Sequence, residues 1–381
     1  MEEWKEYKLG DIANFTTGKL NSNAAVENGQ YPFFTCSPQT FRIDTYAFDQ
    51  DAILLAGNNA EGNFNIKRYS GKFNAYQRTY VISEKNTNEV DLSYLFYALK
   101  LCLNDFKHIS QGTATKFLTA QILNSFPINL PSLPTQQKIA AILSSLDDKI
   151  ELNNKINENL EQQAQALFKS WFIDFEPFGG KMPDGWKVGK LSEIAEITMG
   201  QSPDGKSYNE DGIGTVFYQG RAEFGTRFPT RRLFTTEPKR MAKKFDTLMS
   251  VRAPVGDTNI ANEDCCIGRG LAAIHSKDNH QSFVHYTVLS LRTQLDIFNG
   301  EGTVFGCINR DALNNMEIVI PAKNDLDKFE QIVASMDADI FNRSEENSRL
   351  INIRDSLLPK LMNGEIESQY FCYKKNTIKF F

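Results

Sequence analysis

A duplicated segment constrains the fold of this chain more than any other feature. The stretch WKEYKLGDIANFTTG at residues 4–18 returns as WKVGKLSEIAEITMG at residues 186–200, with eight of fifteen positions identical and an offset of 182. A second set of matches, from Gly112 to Ile150, returns at an offset of 190. One unit of roughly 190 residues therefore occurs twice, and this period is far longer than that of a solenoid. The duplication predicts two similar domains, with two similar sites related by a pseudo-two-fold axis.

The composition is typical of a globular chain that is long enough for two such domains. The chain has 381 residues, of which 41% are hydrophobic and 23% charged, and its net charge is −5. No apolar run is long enough for a membrane span, and the charged N-terminus does not resemble a signal peptide. The six cysteines form no CxxC pair, which favours a reducing, cytoplasmic location. Because the net charge is acidic, any surface for a polyanion must be a local patch.

Each repeat is predicted to fold as a globular α+β part followed by a long helix. Short apolar runs such as YPFFT (31–35) and TYVIS (79–83) predict strands, and LSYLFYALKL (92–101) predicts a helix. Five ranges follow from this pattern: a first globular domain at 1–133, a first long helix with its linker at 134–178, a second globular domain at 179–322, a second long helix at 323–364 and a C-terminal tail at 365–381.

Both long helices have the apolar periodicity of a coiled coil. Thr135 is the predicted N-cap of the first helix, which runs to about Phe172, and Asn363-Gly364 is the predicted end of the second. Apolar residues alternate at spacings of three and four, which predicts a seam between the helices. The predicted seam consists of Leu143, Ile150, Asn157, Leu160 and Leu167 in the first helix and Val333, Ile340, Arg343, Leu350 and Leu357 in the second.

Polar residues near the middle of each seam indicate the direction of pairing. An antiparallel register sets Leu143 against Leu357 and Asn157 against Arg343, and leaves Leu146 against Arg354 as the one mismatch. A parallel register would crowd both globular domains at one end, so we expect the antiparallel pair, with the domains at opposite ends of a rod. The simpler alternative is that each helix covers only its own domain.

The sequence contains no recognisable catalytic constellation. It lacks the GxxxxGK[ST], GxGxxG, HExxH and GxSxG patterns. The four histidines are not spaced for one helical face, so a zinc site is not expected. We therefore predict no catalytic residue, no bound metal and no cofactor in this chain.

Two segments are locally basic and carry interleaved aromatic residues. Residues 221–252 hold nine basic and three acidic side chains, a net charge of +6, and residues 67–78 hold four basic side chains and no acid. Such patches indicate contact with nucleic-acid phosphates, although a basic run is also typical of an ordinary solvated face. The glycine that ends each repeated opening would let backbone N–H groups approach phosphates, or would simply end a strand. The candidate DNA-contacting residues are Thr16, Gly18, Lys19, Lys67, Arg68, Arg78 and Lys116 in the first domain and Gly200, Gln201, Lys206, Arg221, Arg227, Arg231, Arg232 and Arg252 in the second.

The sequence resembles the specificity subunit of type I restriction–modification enzymes. The openings at 4–19 and 186–201 carry the resemblance, as does FPINLPSLPTQQKIAAILSSLDDKIELNNKINENLEQQAQALFKSWFIDF at 126–175. Weaker versions of the latter stand at 316–340 and 357–366, so the similarity extends over residues 1–366. The C-terminal tail departs from the family pattern.

The resemblance implies two target-recognition domains, each reading one half of a bipartite, asymmetric target in double-stranded DNA. It also implies an antiparallel helix pair that spaces the two domains. The subunit itself would be non-catalytic. It would bind modification subunits, two in number, which use S-adenosylmethionine to methylate adenine at N6, and restriction subunits that use ATP and Mg²⁺ for translocation and cleavage.

Three alternatives remain open at this stage. The first is the specificity subunit of a related restriction system with a fused nuclease–methylase partner, which the neighbouring genes would distinguish. A two-cleft carbohydrate-acting enzyme is disfavoured, because the two repeats share no paired carboxylates. A scaffold that uses the helices only for assembly is the third.

Overall fold

The structure is a computed structural model that describes residues 4–300 and 306–366, and the backbone of 371–374 and 377–380. Two compact units make up the chain: unit 1 consists of Met1–Leu152 with Asn347–Phe381, and unit 2 of Asn153–Glu346. Each long helix is shared between them, so the units do not end where the five predicted ranges end. Those ranges stay predictions.

Unit 1 is a mixed α+β domain. Its strands are β1 (Lys5–Lys8), β2 (Ala13–Thr17), β3 (Tyr31–Phe34), β4 (Phe41–Ile43), β5 (Phe48–Ala56), β6 (Asn58–Asn59), β7 (Ile66–Ala75), β8 (Thr79–Glu84), β9 (Lys116–Phe117) and β10 (Pro127–Leu130). Its short helices are α1 (Leu9–Ile12), α2 (Leu92–Leu101), α3 (Leu103–Ile109) and α4 (Ala120–Ser125). Helix α2 begins after Asp91, whose carboxylate accepts a hydrogen bond from the Tyr94 amide at 2.8 Å.

A six-stranded sheet in the order β2-β8-β5-β7-β3-β4 forms the centre of unit 1. The apolar end of β5, residues 52–56, is buried on both faces, as its continuous apolar sequence requires. Strand β7 pairs antiparallel with β5 along its first part and parallel with β3 at its end. Two smaller ladders, β1 with β10 and β6 with β9, flank the sheet.

Unit 2 repeats this plan with shorter strands. The strands are β11 (Lys187–Lys190), β12 (Ala195–Met199), β13 (Tyr208–Asn209), β14 (Thr215–Tyr218), β15 (Phe234–Thr235), β16 (Met241–Ala242), β17 (Thr247–Ser250), β18 (Thr258–Ile260), β19 (Cys265–Ile267), β20 (Leu271–Ser276) and β21 (Glu317–Ile320). The long helix α5, described below, separates the two sets of strands. The short helices of unit 2 are α6 (Leu191–Ile194), α7 (Gln281–Ser290), α8 (Arg292–Asp296) and α9 (Arg310–Asn314).

The duplication is visible strand by strand. The ladder β11–β21 corresponds to β1–β10, and the order β12-β20-β17-β18 corresponds to β2-β8-β5-β7. The long strand β7 of unit 1 is replaced in unit 2 by two strands, because β18 pairs with β17 while β19 pairs parallel with β14. A common topology therefore carries two different sets of loops.

The two long helices are α5 (Leu133–Phe172) and α10 (Lys323–Met362), each of 40 residues. The predicted N-cap at Thr135 is wrong: α5 begins at Leu133, and the amides of Thr135 and Gln136 both donate to the Ser132 carbonyl oxygen. Pro134 fits there, because a proline in the first helical turn removes no helical hydrogen bond. The predicted end of the second helix is confirmed, since α10 ends at Met362 and Gly364 has a φ of +70°.

Within unit 1, the N-terminal half of α5 pairs antiparallel with the C-terminal half of α10. Leu143 and Leu357 are both buried in the core of the unit, as the predicted seam requires. The predicted mismatch at Arg354 is relieved, because its Nη1 donates to Asp147 Oδ1 at 2.6 Å. Asp147 directly follows Leu146 in α5. Arg354 therefore faces this aspartate instead of the predicted leucine, and an ion pair replaces the mismatch.

Within unit 2, the other halves of α5 and α10 pair with the same antiparallel sense. The rings of Trp171 and Phe329 lie 6.2 Å apart, as the predicted register requires. Near the middle the register differs in detail, because Asn157 Nδ2 donates to Ser344 Oγ at 3.2 Å and Arg343 donates to Asn153. Of the ten predicted seam residues, the buried ones are Leu143, Val333, Ile340 and Leu357, and the half-buried ones are Ile150, Asn157, Leu160, Leu167, Arg343 and Leu350.

In the described part of the tail, β22 (Phe371–Lys374) and β23 (Thr377–Phe380) pair with each other as an antiparallel hairpin. Among the described residues, no helix has the length and apolar character needed to cross a membrane.

Candidate nucleic-acid interface

An exposed turn occurs at the same place in both units. In unit 1 the turn consists of residues 76–79: the Thr79 amide donates to the Tyr76 carbonyl oxygen at 2.8 Å, and the Tyr76 amide donates to Phe34 at 2.9 Å. In unit 2 it consists of residues 268–271, where the Leu271 amide donates to Gly268 at 2.9 Å and the Gly268 amide donates to Tyr218 at 2.9 Å. We call these the unit 1 turn and the unit 2 turn.

Three basic residues proposed from the sequence lie around the unit 1 turn. Arg78, in the turn itself, places its guanidinium 5.2 Å from the ring centre of Phe117, and Lys116 precedes that ring in β9. Lys67 donates to Thr40 Oγ1 at 2.9 Å from a half-buried position, and burial lowers the pKa of its ammonium group. Loop 35–40 connects Lys67 with the turn, because Thr40 of this loop accepts from Lys67 and Cys36 Sγ lies 3.3 Å from the Arg78 carbonyl oxygen.

The strand end at residues 16–20 borders the same surface. Thr16 and Lys19 are exposed, and Leu20 forms an isolated parallel bridge with Tyr76 in the unit 1 turn. The Gln77 amide nitrogen donates to the Leu20 carbonyl oxygen at 2.9 Å. The structure thus brings Thr16, Lys19, Lys67, Arg78 and Lys116 to one side of unit 1.

Gly18 and Gly200 each lie where a strand packs tightly against another segment of backbone. A Cβ at Gly18 would approach the Ala75 carbonyl oxygen, and a Cβ at Gly200 would approach that of Gly268, both closer than the 3.0 Å minimum of real contacts. Gly18 is also buried. Each glycine is therefore required for the close approach of its strand to the backbone at the turn. Its predicted contact with phosphates stays a prediction.

Replacing Gly200 with alanine should destabilise the chain by about 1–3 kcal/mol, because the added methyl group displaces the Gly268 backbone. Gly220→Ala is the matched control, since no atom lies within 4 Å of its ideal Cβ and its φ of −169° is open to any residue. Urea denaturation measures both. Equal stability of the two variants would exclude the steric role of Gly200.

Arg68 is also wrongly placed in the predicted surface. It follows Lys67 in β7, and successive side chains of a strand point to opposite faces. Its Nη2 donates to Asp51 Oδ2 at 2.6 Å and its Nε to Oδ1 at 3.2 Å, so the guanidinium is held by a two-pronged ion pair with the neighbouring strand. Burial is the largest single influence and by itself lowers the pKa of Arg68. The hydrogen bond and charge of Asp51, with the charges of Asp91 and Tyr97, together outweigh burial, so the pKa is raised.

Acids neutralise much of the basic segment at 221–252. Arg221 pairs with Asp257 at 2.6 Å, Arg231 pairs with Glu263, and Arg232 pairs with the buried Glu223 at 2.8 Å. Asp257 and Glu263 lie outside the segment, so its net charge of +6 overstates the local field. Exposed ion pairs contribute little stability, so Arg221 and Arg231 remain available for exchange onto phosphates. Release of Arg232 would leave the carboxylate of Glu223, which is 3% exposed, without this cation.

Arg227 is buried and is removed from the predicted surface. Its side chain is only 10% exposed and makes ion pairs with Glu161 of α5 and Asp337 of α10. Its Nη1 also donates to the hydroxyl of Tyr286 in α7 at 3.2 Å. Three helices of unit 2 thus converge on one guanidinium, which holds loop 224–233 against the helix pair.

Unit 1 contains a corresponding cluster in which the arginine comes from a different element. Tyr97 of α2 donates to Asp147 Oδ2 at 2.7 Å, and Asp147 accepts a second bond from Arg354 of α10. Asp147 matches Asp337 at the repeat offset of 190, whereas the position that matches Arg354 is the fully buried Ala164. Burial, the largest influence, and the adjacent Asp147 and Asp337 raise the pKa of Tyr97 and Tyr286, so both phenols stay protonated and donate.

Sequence reasoning missed Gln77 and Arg269, the second residues of the two turns. Both are exposed, but Gln77 is an uncharged residue within the basic segment 67–78, and Arg269 stands between two glycines outside the segment 221–252. Arg252 lies nearby in unit 2, where its backbone forms an isolated bridge with Cys307. The exposed Gln201 and Lys206 precede the unit 2 turn in sequence, and the Gln201 amide donates to Ile267 at 3.0 Å, next to that turn.

Comparison with known proteins is consistent with this architecture. A family model described as the type I restriction modification DNA specificity domain matches residues 1–162 and again residues 183–349. A putative type I restriction enzyme MjaX specificity subunit from Methanocaldococcus jannaschii is 28% identical, over 96% of this chain and 94% of that protein. The type I restriction enzyme HindI specificity subunit from Haemophilus influenzae is 26% identical, over 96% of this chain and all of that protein (100%).

A solved structure supports the fold independently. The crystal structure of a type I restriction-modification system S subunit from M. genitalium matches with a TM-score of 0.68 at 18% identity, over 94% of this chain and 96% of that one. The α+β class, with two similar domains and long helices, is confirmed. The chain belongs to the type I restriction–modification DNA specificity family.

Proposed function

We propose that this chain is the DNA sequence-recognition subunit of a type I restriction–modification complex and that each unit reads one half of a bipartite, asymmetric target. The observation that carries the proposal is the double family match, one for each repeat. Two units of one topology that expose different side chains fit two half-sites of different sequence. The relatives named above are themselves called specificity subunits.

The contact surface in unit 1 is assigned to the side that contains the unit 1 turn. Lys19, Arg78 and Lys116 have no acidic partner among the described residues, so their charge is available to DNA phosphates without breaking an ion pair. In unit 2, Lys206, Arg252 and Arg269 have the corresponding role. Contacts to phosphates fix the position of a protein on the duplex, and contacts to base edges give sequence specificity.

The chain is proposed to do no chemistry of its own. Modification subunits, two per complex, would bring S-adenosylmethionine and methylate adenine at N6, and restriction subunits would use ATP and Mg²⁺. The carbohydrate-acting enzyme, the assembly scaffold and the fused-partner system gain no support from the comparisons.

Methylation mapping tests the proposed function directly. The chain is expressed with a modification subunit in a host that lacks DNA methylation, and the methylated adenines are mapped across the genome. The expected result is one bipartite motif that disappears when this chain is omitted. Methylation without a motif, or a motif that persists without this chain, would refute the proposal.

The double variant Arg78→Ala with Lys116→Ala should weaken binding to all DNA sequences and reduce the slope of log affinity against log salt by about two, because each lost phosphate contact removes about one unit. Arg68→Ala is the matched control, since Arg68 is held by Asp51 on the other face of β7 and should leave the slope unchanged. Fluorescence anisotropy of the complex on labelled duplex, at several salt concentrations, measures both. An unchanged slope in the double variant would place the DNA elsewhere.

The same titration examines the basic segment of unit 2. Arg231→Ala with Arg232→Ala should weaken binding and lower the slope if these arginines exchange their acidic partners for phosphates. Unchanged affinity and slope would exclude them from the DNA-facing surface.

A further inference from the structure

The second position of the turn differs from its neighbours in a way that both units share. The backbone N–H of the first residue donates to a carbonyl oxygen of a neighbouring strand. The fourth residue is buried, with 1% exposure for Thr79 and 0% for Leu271. The third residue is Arg78 in unit 1 but Gly270 in unit 2, which has no side chain to present. The second position therefore carries the exposed polar side chain common to both turns: Gln77 and Arg269.

The backbone N–H of this position bonds to the matching residue in both units, although the accepting atom differs. The backbone N–H of Gln77 donates to the carbonyl oxygen of Leu20, and the backbone N–H of Arg269 donates to Ser202 Oγ at 3.3 Å. Leu20 and Ser202 match at the repeat offset of 182. A side chain that reads a base must project from a fixed backbone, because small displacements break a two-point hydrogen bond.

The side chain of Gln77 is also oriented before any ligand binds. Its Nε2 donates one hydrogen to Asn21 Oδ1 at 2.8 Å. An amide has two N–H donors and a carbonyl acceptor, so a second N–H and Oε1 remain for another partner. Those two groups match the N7 acceptor and the N6 donor of adenine in the major groove, whereas an arginine fork matches the O6 and N7 acceptors of guanine.

We propose that the second residue of each turn reads one base: Gln77 an adenine in the half-site of unit 1, and Arg269 a guanine in the half-site of unit 2. This inference rests on the proposed function and adds to it a residue and a base for each unit. Arg78, whose guanidinium lies over the Phe117 ring, then contacts the DNA backbone of the same half-site and so positions the unit 1 turn.

Exchanging the two residues tests the inference. In the complex with its modification subunit, Gln77→Arg should change one adenine of the unit 1 half-site to guanine and leave the other half-site as in the parent. Arg269→Gln should change one guanine of the unit 2 half-site to adenine. In competition between duplexes that differ at that base pair, each preference should shift by roughly 5- to 150-fold, the usual discrimination of a two-point contact.

Arg269→Lys distinguishes base reading from simple attraction. Lysine keeps the charge but loses the planar fork. Base reading requires this variant to lose preference for guanine at that position by at least about fivefold, whereas a phosphate contact would leave the motif unchanged. Both turn positions are exposed, so these substitutions leave the core intact.

The outcomes separate this inference from the proposed function. If the parent complex has a bipartite motif and both exchanges leave it unchanged, the inference is wrong and the proposed function stands. If a variant loses methylation, the competition assay still decides, since an unaltered preference at every base pair overturns the inference. If the parent chain confers no motif at all, the proposed function itself fails.

Discussion

Replacing Arg227 with methionine is expected to destabilise unit 2 by about 3 kcal/mol, the lower end of the cost of breaking a buried ion pair, because it leaves two partly buried carboxylates without their cation. Arg227 is 10% exposed and pairs with Glu161 and Asp337, which are 24% and 20% exposed. Tyr286 donates its hydroxyl hydrogen to Asp337 at 3.2 Å and accepts from Arg227, so it supplies no positive charge that could replace Arg227. The loss of stability in Arg227→Met should therefore exceed that caused by replacing any exposed arginine of the basic segment 221–252.

Tryptophan fluorescence during urea denaturation is the appropriate measurement, because the chain contains three tryptophans. In a Trp4→Phe background the signal comes from Trp171 and Trp186, which both lie in the core of unit 2. Arg231→Met is the matched control: its side chain is 43% exposed, and its loss should cost at most about 1 kcal/mol.

A second variant protects this conclusion from a simple packing explanation. Adding Glu161→Gln and Asp337→Asn to Arg227→Met removes the two negative charges that are left without a cation, and most of the lost stability should return. If Arg227→Met is no more destabilising than Arg231→Met, the ion-pair cluster does not hold the loop. If the triple variant is no better than the single one, the lost packing of the side chain, and not the charge, is responsible.

Exchanging the variable part of one unit should change one half-site completely and leave the other intact. We expect this when residues 20–110 are replaced by the equivalent segment of a related subunit with a known target. The physical reason is that the segment contains the whole unit 1 turn and its loop 35–40, whereas the unit 2 turn and its backbone hydrogen-bond partners lie far outside the segment, beyond residue 199. Methylation mapping of the hybrid gives both half-sites in one experiment.

The structure sharpens the design of this hybrid. Tyr97 lies inside the exchanged segment and donates to Asp147 in α5, so the donor segment must supply a tyrosine at that position. A hybrid that carries Tyr97→Phe serves as the control for this contact. Its motif should equal that of the parent hybrid, with lower thermal stability, since only the domain–helix hydrogen bond is lost. A hybrid in which both half-sites change would refute independent reading by the two units.

The order and type of the main elements could be predicted from the sequence because their signals are local. The repeated opening at 4–18 and 186–200 folds in both units as a strand, one helical turn and a second strand. The apolar periodicity of α5 and α10 predicted two long helices, and both have 40 residues. The predicted N-cap at Thr135 lies three residues after Ser132, because both are good capping residues and only the backbone geometry distinguishes them.

The candidate interface was predicted less well because charge in a sequence window is not charge on a surface. Arg227 is separated from Asp337 by 110 residues, and Arg231 from Glu263 by 32, so no window of the sequence shows these partners. Arg68 and Lys67 are neighbours in sequence, yet the strand directs them to opposite faces. Gln77 and Arg269 gave no signal because a single polar residue in a turn is ordinary.

The sequence by itself determined that this chain contains one α+β plan twice, with a long helix after each copy, since periodicity and duplication are written in neighbouring residues. Only the tertiary structure decided which polar side chains remain exposed for DNA and which bind the domains to the helices. The unit 1 turn and the unit 2 turn become equivalent through hydrogen bonds between distant strands. Those bonds depend on the closed fold, because each joins backbone groups that only the completed sheet brings together.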